Sequence, residues 1–255
     1  MLMVKAKNLK ENVYNIYVAA ENPQTEYNSE AIANIIKTVF NHKKETYKFG
    51  LVAFEKNKKD DKKTIKSSSE NHLNSAEKNT SLLAIPITID NLKLINASDS
   101  WLNELFSVCK SPIITFKKIK TVKIENIIAA IDLEIDFMPF IFKLQKLMQS
   151  MKDVNLHIVS ALKNTNHYNI NKATQQLSFL NELFTDDKIN FTAEIVYSQS
   201  EEVSKFRIVL DHIKRVNADI ILINKNSFTN NNHFDNQSNL FELLSKSETP
   251  IITFV

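Results

Sequence analysis

The feature that most constrains the fold of this chain is a repeat within its own sequence. Residues 81–117 slide without a gap onto residues 219–255, and eleven of the 37 positions are identical. Six identities are Ile85/Ile223, Ser100/Ser238, Leu102/Leu240, Glu104/Glu242, Leu105/Leu243 and Ser107/Ser245. The other five are consecutive, Pro-Ile-Ile-Thr-Phe at 112–116 and again at 250–254. The apolar runs that open each half match at a different and smaller offset, with Glu21 against Asp132. The first copy is therefore shorter than the second between the matched stretches. A unit of this length repeated once indicates domain duplication rather than a solenoid.

Each copy alternates strand and helix signals. In the second, apolar runs at 127–131, 156–162, 191–197, 219–223 and 250–255 read as strands. Between them Phe137, Phe140, Ile141, Leu144, Leu147, Met148 and Met151 recur at helical spacing, as do Ala173, Leu177, Leu180 and Phe184, and Val203, Phe206, Leu210, Ile213 and Val216. A short helix is expected around 240–244. The first copy reads in the same way, with strands at 15–20, 47–54, 82–87 and 112–116 and helices at 31–40 and 101–109. Residues 56–81 interrupt it with seven Lys, four acids and a Ser-Ser-Ser run, and read as a solvated loop. The shortening predicts that the first copy has lost one helix and one strand toward the sheet edge. Near-continuous apolar strands alternating with helices predict a parallel sheet covered on both faces. The expected domains are 1–120, containing the polar loop 56–81, and 121–255.

Composition narrows the function classes. A net charge of +3 leaves no strong footprint for nucleic acid or an anionic membrane. The Lys-rich stretch 56–81 lacks interleaved aromatics and is diluted by Asp60, Asp61, Glu70 and Glu77, so nucleic acid is not the expected partner. Cys109 is the single cysteine, which excludes an internal disulfide framework. Residues 1–10 show no signal-peptide core, and no stretch is apolar enough to span a bilayer. These features predict a soluble, cytoplasmic protein without a membrane partner.

Glycine is scarce. Gly50 is the only one in the chain, where average usage is about 7%. Phosphate-cradling loops need positive φ and close backbone approach, so neither a Walker loop nor a GxGxxG turn can be written here. Six histidines, His42, His72, His157, His167, His212 and His233, are scattered without i, i+4 pairing or an accompanying CxxC, so no metal is expected. Asp211 and His212 are adjacent on a helix and point apart, which is no catalytic dyad.

With its five alternating strands, Asp132 closing the first strand of the second copy and Pro-Ile-Ile-Thr-Phe-Val forming the last, the chain resembles the universal stress protein family. The resemblance implies two tandem α/β domains of Rossmann-like type, similar to adenine nucleotide alpha hydrolases, each with a parallel sheet flanked by helices. ATP-binding members carry a G-2x-G-9x-G-[ST] signature between the fourth strand and the last helix. Its spacing falls here on Asn224, Ser227, Gln237 and Ser238, and in the first copy on Pro86, Ile89, Asp99 and Ser100. Only the closing serine of the motif remains in each. Pro86 removes a backbone donor and Asp99 would set a negative charge beside phosphates. In the second copy the replacements are neutral, and Asn224 can adopt a left-handed conformation. Ser100 and Ser238 read as helix N-caps, with Glu104 and Glu242 in the following turn. Asp132 stands where open α/β sheets place ligands, or caps the next turn.

The resemblance therefore implies a non-enzymatic stress-response or regulatory protein acting through protein contacts, with no cofactor. Its alternative is a regulator that holds an adenine nucleotide in the second domain, near Asp132, Asn224, Ser227, Gln237 and Ser238. An enzyme is the third class, and no acid, base and nucleophile set supports it. The family's final strands commonly pair across a two-fold axis, which implies that 112–116 and 250–254 lie antiparallel and make an intramolecular pseudo-dimer.

Overall fold

The computed structural model describes residues 13–20, 32–33, 35, 39, 46–53, 80–86, 112–117, 123–133, 137–151, 153–162, 167–197, 205–224 and 243–254. In chain order the strands are β1 (Val13–Ala20), β2 (Thr46–Ala53), β3 (Thr80–Pro86), β4 (Ile113–Phe116), β5 (Asn126–Ile131), β6 (Asn155–Leu162), β7 (Phe191–Tyr197), β8 (Ile220–Asn224) and β9 (Ile251–Phe254). The helices are α1 (Met138–Gln149), α2 (His167–Asp186) and α3 (Lys205–Val216). Residues 32, 33, 35 and 39, and 243–246, are also helical. The helix expected at 101–109 and the polar segment up to residue 79 lie outside the described residues. β3 begins two positions earlier than its apolar run suggests, because Thr80 and Ser81 join the ladder.

All nine strands form one sheet in the order β2-β1-β3-β4-β9-β8-β5-β6-β7. Every neighbouring pair is parallel except β4–β9. Among the described residues the first half supplies four strands and the second five. The counterpart of β7 is the strand that the first half does not show.

The sequence repeat reappears as ladder register. β3 pairs with β4 through Leu83–Ile113, Ala84–Ile114, Ile85–Thr115 and Pro86–Phe116. β8 pairs with β9 through Ile221–Ile251, Leu222–Ile252, Ile223–Thr253 and Asn224–Phe254, so every pair of the first ladder recurs between the repeat counterparts of its members. Likewise Ile16–Leu82, Tyr17–Leu83 and Val18–Ala84 become Ile127–Ile220, Ile128–Ile221 and Ala129–Leu222. Here the first partner moves by the offset that relates Glu21 to Asp132, and the second by the offset that relates Ile85 to Ile223. The duplication is thus preserved in the hydrogen-bond ladder as well as in the side chains.

The seam between the halves has its own symmetry. In the antiparallel β4–β9 pair, Ile114 faces Ile252, while Ile113–Thr253 and Thr115–Ile251 flank them. These flanking pairs exchange when each residue is replaced by its repeat counterpart, so a local two-fold axis passes between Ile114 and Ile252. This is the isologous geometry of a symmetric dimer interface, made within one chain. Both apolar strand edges are covered by it, and an exposed apolar edge is otherwise an aggregation template. The Thr115 hydroxyl donates to the Ile251 carbonyl at 3.4 Å, and Lys117 reaches Glu248 at 2.8 Å across the same seam.

Two apolar layers sandwich the sheet and both cross the seam. One joins Ile32, Ile35, Val39, Ala84 and Ile114 to the buried faces of α1 and α2. The other joins Ile85 and Ile113 to Val209, Leu210 and Ile213 of α3 and to Leu243 and Leu244. Helices that carry the chain outward from β5 to β7 lie on one face, and α3, which carries it back to β8, lies on the other. Right-handed crossovers require this arrangement. At the strand starts a polar ladder ties four strands together. Asp219 accepts from the backbone N–H groups of Glu125 (2.8 Å) and Asn126 (3.0 Å). The Asn155 amide donates to Asn126 at 3.1 Å and in turn accepts from Asn190.

The shortage of glycine shows at the helix ends. Helices commonly stop on a left-handed residue, usually Gly. Here Lys188 (φ 56°) follows α2 and Asn217 (φ 50°) follows α3. Around them Ile189 N–H bonds the Phe184 carbonyl at 3.1 Å and Ala218 N–H bonds that of Ile213 at 3.2 Å. Asn tolerates this conformation, whereas Lys adopts it against a Cβ clash.

Candidate functional site

In an open α/β sheet a ligand crevice forms where consecutive connections diverge from one strand. In the second half that point lies between β5 and β8, since the chain runs from β5 to β6 and β7 on one side and returns to β8 and β9 on the other. Asp132 immediately follows β5 and Asn224 is the last residue of β8, so the fold brings these two to neighbouring strand ends. Asp132 is half-buried. Leu133 beyond it is buried, and its carbonyl accepts from the Gln176 amide of α2 at 3.4 Å. The turn after β5 is therefore pinned by α2.

Asn224 departs from the sequence expectation. It is not left-handed; it continues the extended ladder of β8 opposite Phe254 and is buried. Its backbone is that of a strand and not the left-handed one that a phosphate-cradling glycine adopts. The equivalent crevice of the first half lies between β1 and β3. There Pro86 occupies the matching place, paired with Phe116 and lacking an N–H altogether. Gly50 sits inside β2 opposite Tyr17, at neither crevice. Ser227, Gln237 and Ser238 lie outside the described residues, as do Glu21, Ile89, Asp99, Ser100 and Cys109.

The structure also assembles a cluster that sequence spacing did not reveal. His157 of β6, Thr192 and Glu194 of β7, and His212 and Arg215 of α3 meet near the opposite end of the sheet. His157 Nδ1 lies 2.8 Å from Thr192 Oγ1, and its ring stands edge-on to that of His212 at 6.5 Å. Arg215 Nη2 contacts His212 Nδ1 at 2.6 Å and Glu194 Oε2 at 2.5 Å. His212 is 3% exposed, although the neighbouring Asp211 faces solvent. Burial pushes His212 below the usual histidine range; Arg215 and His157 add to this and Glu194 opposes it. Burial also lowers His157, against the pull of Glu194. The only forward signal was His212 on the apolar stripe of α3, three positions before an arginine. Among the described residues no three His, Cys, Asp or Glu are grouped as a metal site, and no helix is long and apolar enough to cross a membrane.

A sheet with two switch points and lateral helices on both faces defines a duplicated α/β class of Rossmann-like type. Comparison with solved structures specifies it further as the universal stress protein fold. A universal stress protein from Archaeoglobus fulgidus matches with a TM-score of 0.61 at 13% identity, over 94% of this chain and 95% of its own. A putative universal stress protein from Pseudomonas aeruginosa matches with a TM-score of 0.58 at 11% identity, over 96% and 93%. A functionally unknown protein from Pseudomonas aeruginosa matches with a TM-score of 0.50 at 11% identity, over 94% and 81%. No family model matches the sequence, and no curated protein matches it. At these identities the likeness establishes the fold, and the fold alone does not assign a function.

Proposed function

We propose that this chain is a universal stress protein-like regulator, built of units 1–120 and 121–255, that acts through protein contacts and carries out no catalysis. On this reading the signature positions of the second unit bind no nucleotide by a glycine loop. The observation that carries it is the occupation of both strand ends at the crevices, by Pro86 and by the buried, extended Asn224. The alternative, an adenine nucleotide held by the second unit, draws its support from Asp132 beside that same strand end. The two readings separate in calorimetric titration with ATP. The unmodified protein is expected to give no binding heat at millimolar ATP, a limit corresponding to roughly −4 kcal/mol. Restoring the signature with Asn224→Gly, Ser227→Gly and Gln237→Gly together is expected to bring binding into the measurable range. Binding by the unmodified chain that is lost in Asp132→Ala would favour the nucleotide-holding regulator.

A further inference from the structure

The His157–Glu194–His212–Arg215 cluster has no part in the crevice and sits where α3 meets the edge of the sheet. A guanidinium offers only donors, so the 2.6 Å contact from Arg215 requires His212 Nδ1 to accept. The ring is therefore neutral, with its proton on Nε2. That atom is buried and has no hydrogen-bond partner among the described residues. The same Arg215 nitrogen holds Glu194, so this cation, set against the neutral ring of its own helix, bridges α3 to β7. A second proton on His212 changes every part of this arrangement. Nδ1–H then points at the Arg215 donor, and a cation stands beside a guanidinium and faces His157. Among the described residues Glu194 Oε2, 3.7 Å from Nδ1, is the carboxylate placed to accept it, and Arg215 already holds that oxygen, so the two cations compete for it.

We propose that the contact of α3 with β6 and β7 is an acid-responsive latch, in which proton uptake at His212 displaces Arg215 from the ring and frees α3 from the sheet edge. Among the described residues the groups that face His212 are few. Its own helix gives Arg215, with Asp211 and Lys214 on the solvent side. β6 gives His157, and β7 gives Glu194 with the neutral Thr192. β5 and β8 present Ile128, Ala130, Ile221 and Ile223 to this layer, which carry no charge. Release uncovers Val209, Leu210 and Ile213 of α3 and Val159 of β6, an apolar surface hidden at neutral pH.

The sign follows from linkage. His212 and His157 are held below their unfolded value, so the open state binds more protons and closure weakens as pH falls below about 6.5. Each proton taken up shifts the opening equilibrium by at most about tenfold per pH unit within that window. Hydrogen–deuterium exchange on the intact chain reads this directly, with rates corrected for the intrinsic pH dependence of exchange. Protection across 205–216 is expected to fall by about fivefold between pH 6.5 and 5.5 for full uptake of one proton, while β5 and β8 keep theirs. His212→Leu is expected to remove most of the pH dependence of that helix. Unchanged protection in α3, an equal fall in every strand, or the same fall in His212→Leu would each overturn the latch. Should His212→Leu fail to fold, the ring resonances of His212 in the unmodified protein decide. A midpoint below the ordinary histidine value supports the latch, and one at or above it overturns it.

Discussion

Replacing Ile252 with Asp is expected to cost about 4 kcal/mol or more in urea denaturation and to separate the two halves of the molecule in small-angle scattering. Ile252 and Ile114 are both fully buried and face each other across the local two-fold axis of the β4–β9 seam. A carboxylate placed there meets no cation among the described residues of the apolar layer, and a buried unpaired charge belongs to the few changes that cost this much. Ile114→Asp is expected to behave alike, because the axis makes the positions equivalent. Charges at Ile113 or Ile251 attack the same seam from the opposite apolar layer, and both residues are buried. Ile252→Val, which removes one methylene, is expected to cost only about 1 kcal/mol. A loss under about 1 kcal/mol for Ile252→Asp, with an unchanged scattering profile, would mean that this seam does not hold the halves together.

Phe184→Ala is the second large effect, at about 3–5 kcal/mol. Phe184 is fully buried at the end of α2, with its ring centroid 5.2 Å from that of Phe191 on β7. Its carbonyl also receives the Ile189 N–H that closes the left-handed turn at Lys188. Truncation leaves a cavity between α2 and the edge strand, next to a turn that already lacks a glycine. Phe179 on the same helix is 40% exposed, and Phe179→Ala is expected to change stability by less than about 0.5 kcal/mol. Equal effects of the two substitutions in thermal or urea unfolding would contradict the packing described for α2.

These two sites differ in how far the sequence exposed them. The repeated Pro-Ile-Ile-Thr-Phe pentad marked both β4 and β9, and the two offsets of the repeat carry directly into strand register. Strand registry is readable in this way because duplicated apolar patterns must bury the same faces. The buried stripe of α1, from Phe140 to Met148, was likewise present as a spacing. Cross-element polar contacts left no such trace. Asp219, Asn126, Asn155 and Asn190 form one ladder only because parallel strands begin at the same edge, and nothing in their spacing announces it. His157 and His212 come together through a strand and a helix far apart in the chain. At the crevice, Asp132 and Asn224 fall at neighbouring strand ends as their places in the pattern imply. The conformation of Asn224 was the part sequence could not supply, because the pull of a strand ladder on an Asn is set by its partner, Phe254.

The most direct test of a regulator that works without a nucleotide is to denature the purified protein and measure what it releases by mass spectrometry. Release of no adenine nucleotide is the expected result, since Asn224 and Pro86 stand where phosphate-binding backbone would have to turn. Release of ATP, ADP or AMP in an amount approaching one per chain would contradict it and establish that the crevice between β5 and β8 holds a nucleotide without glycine.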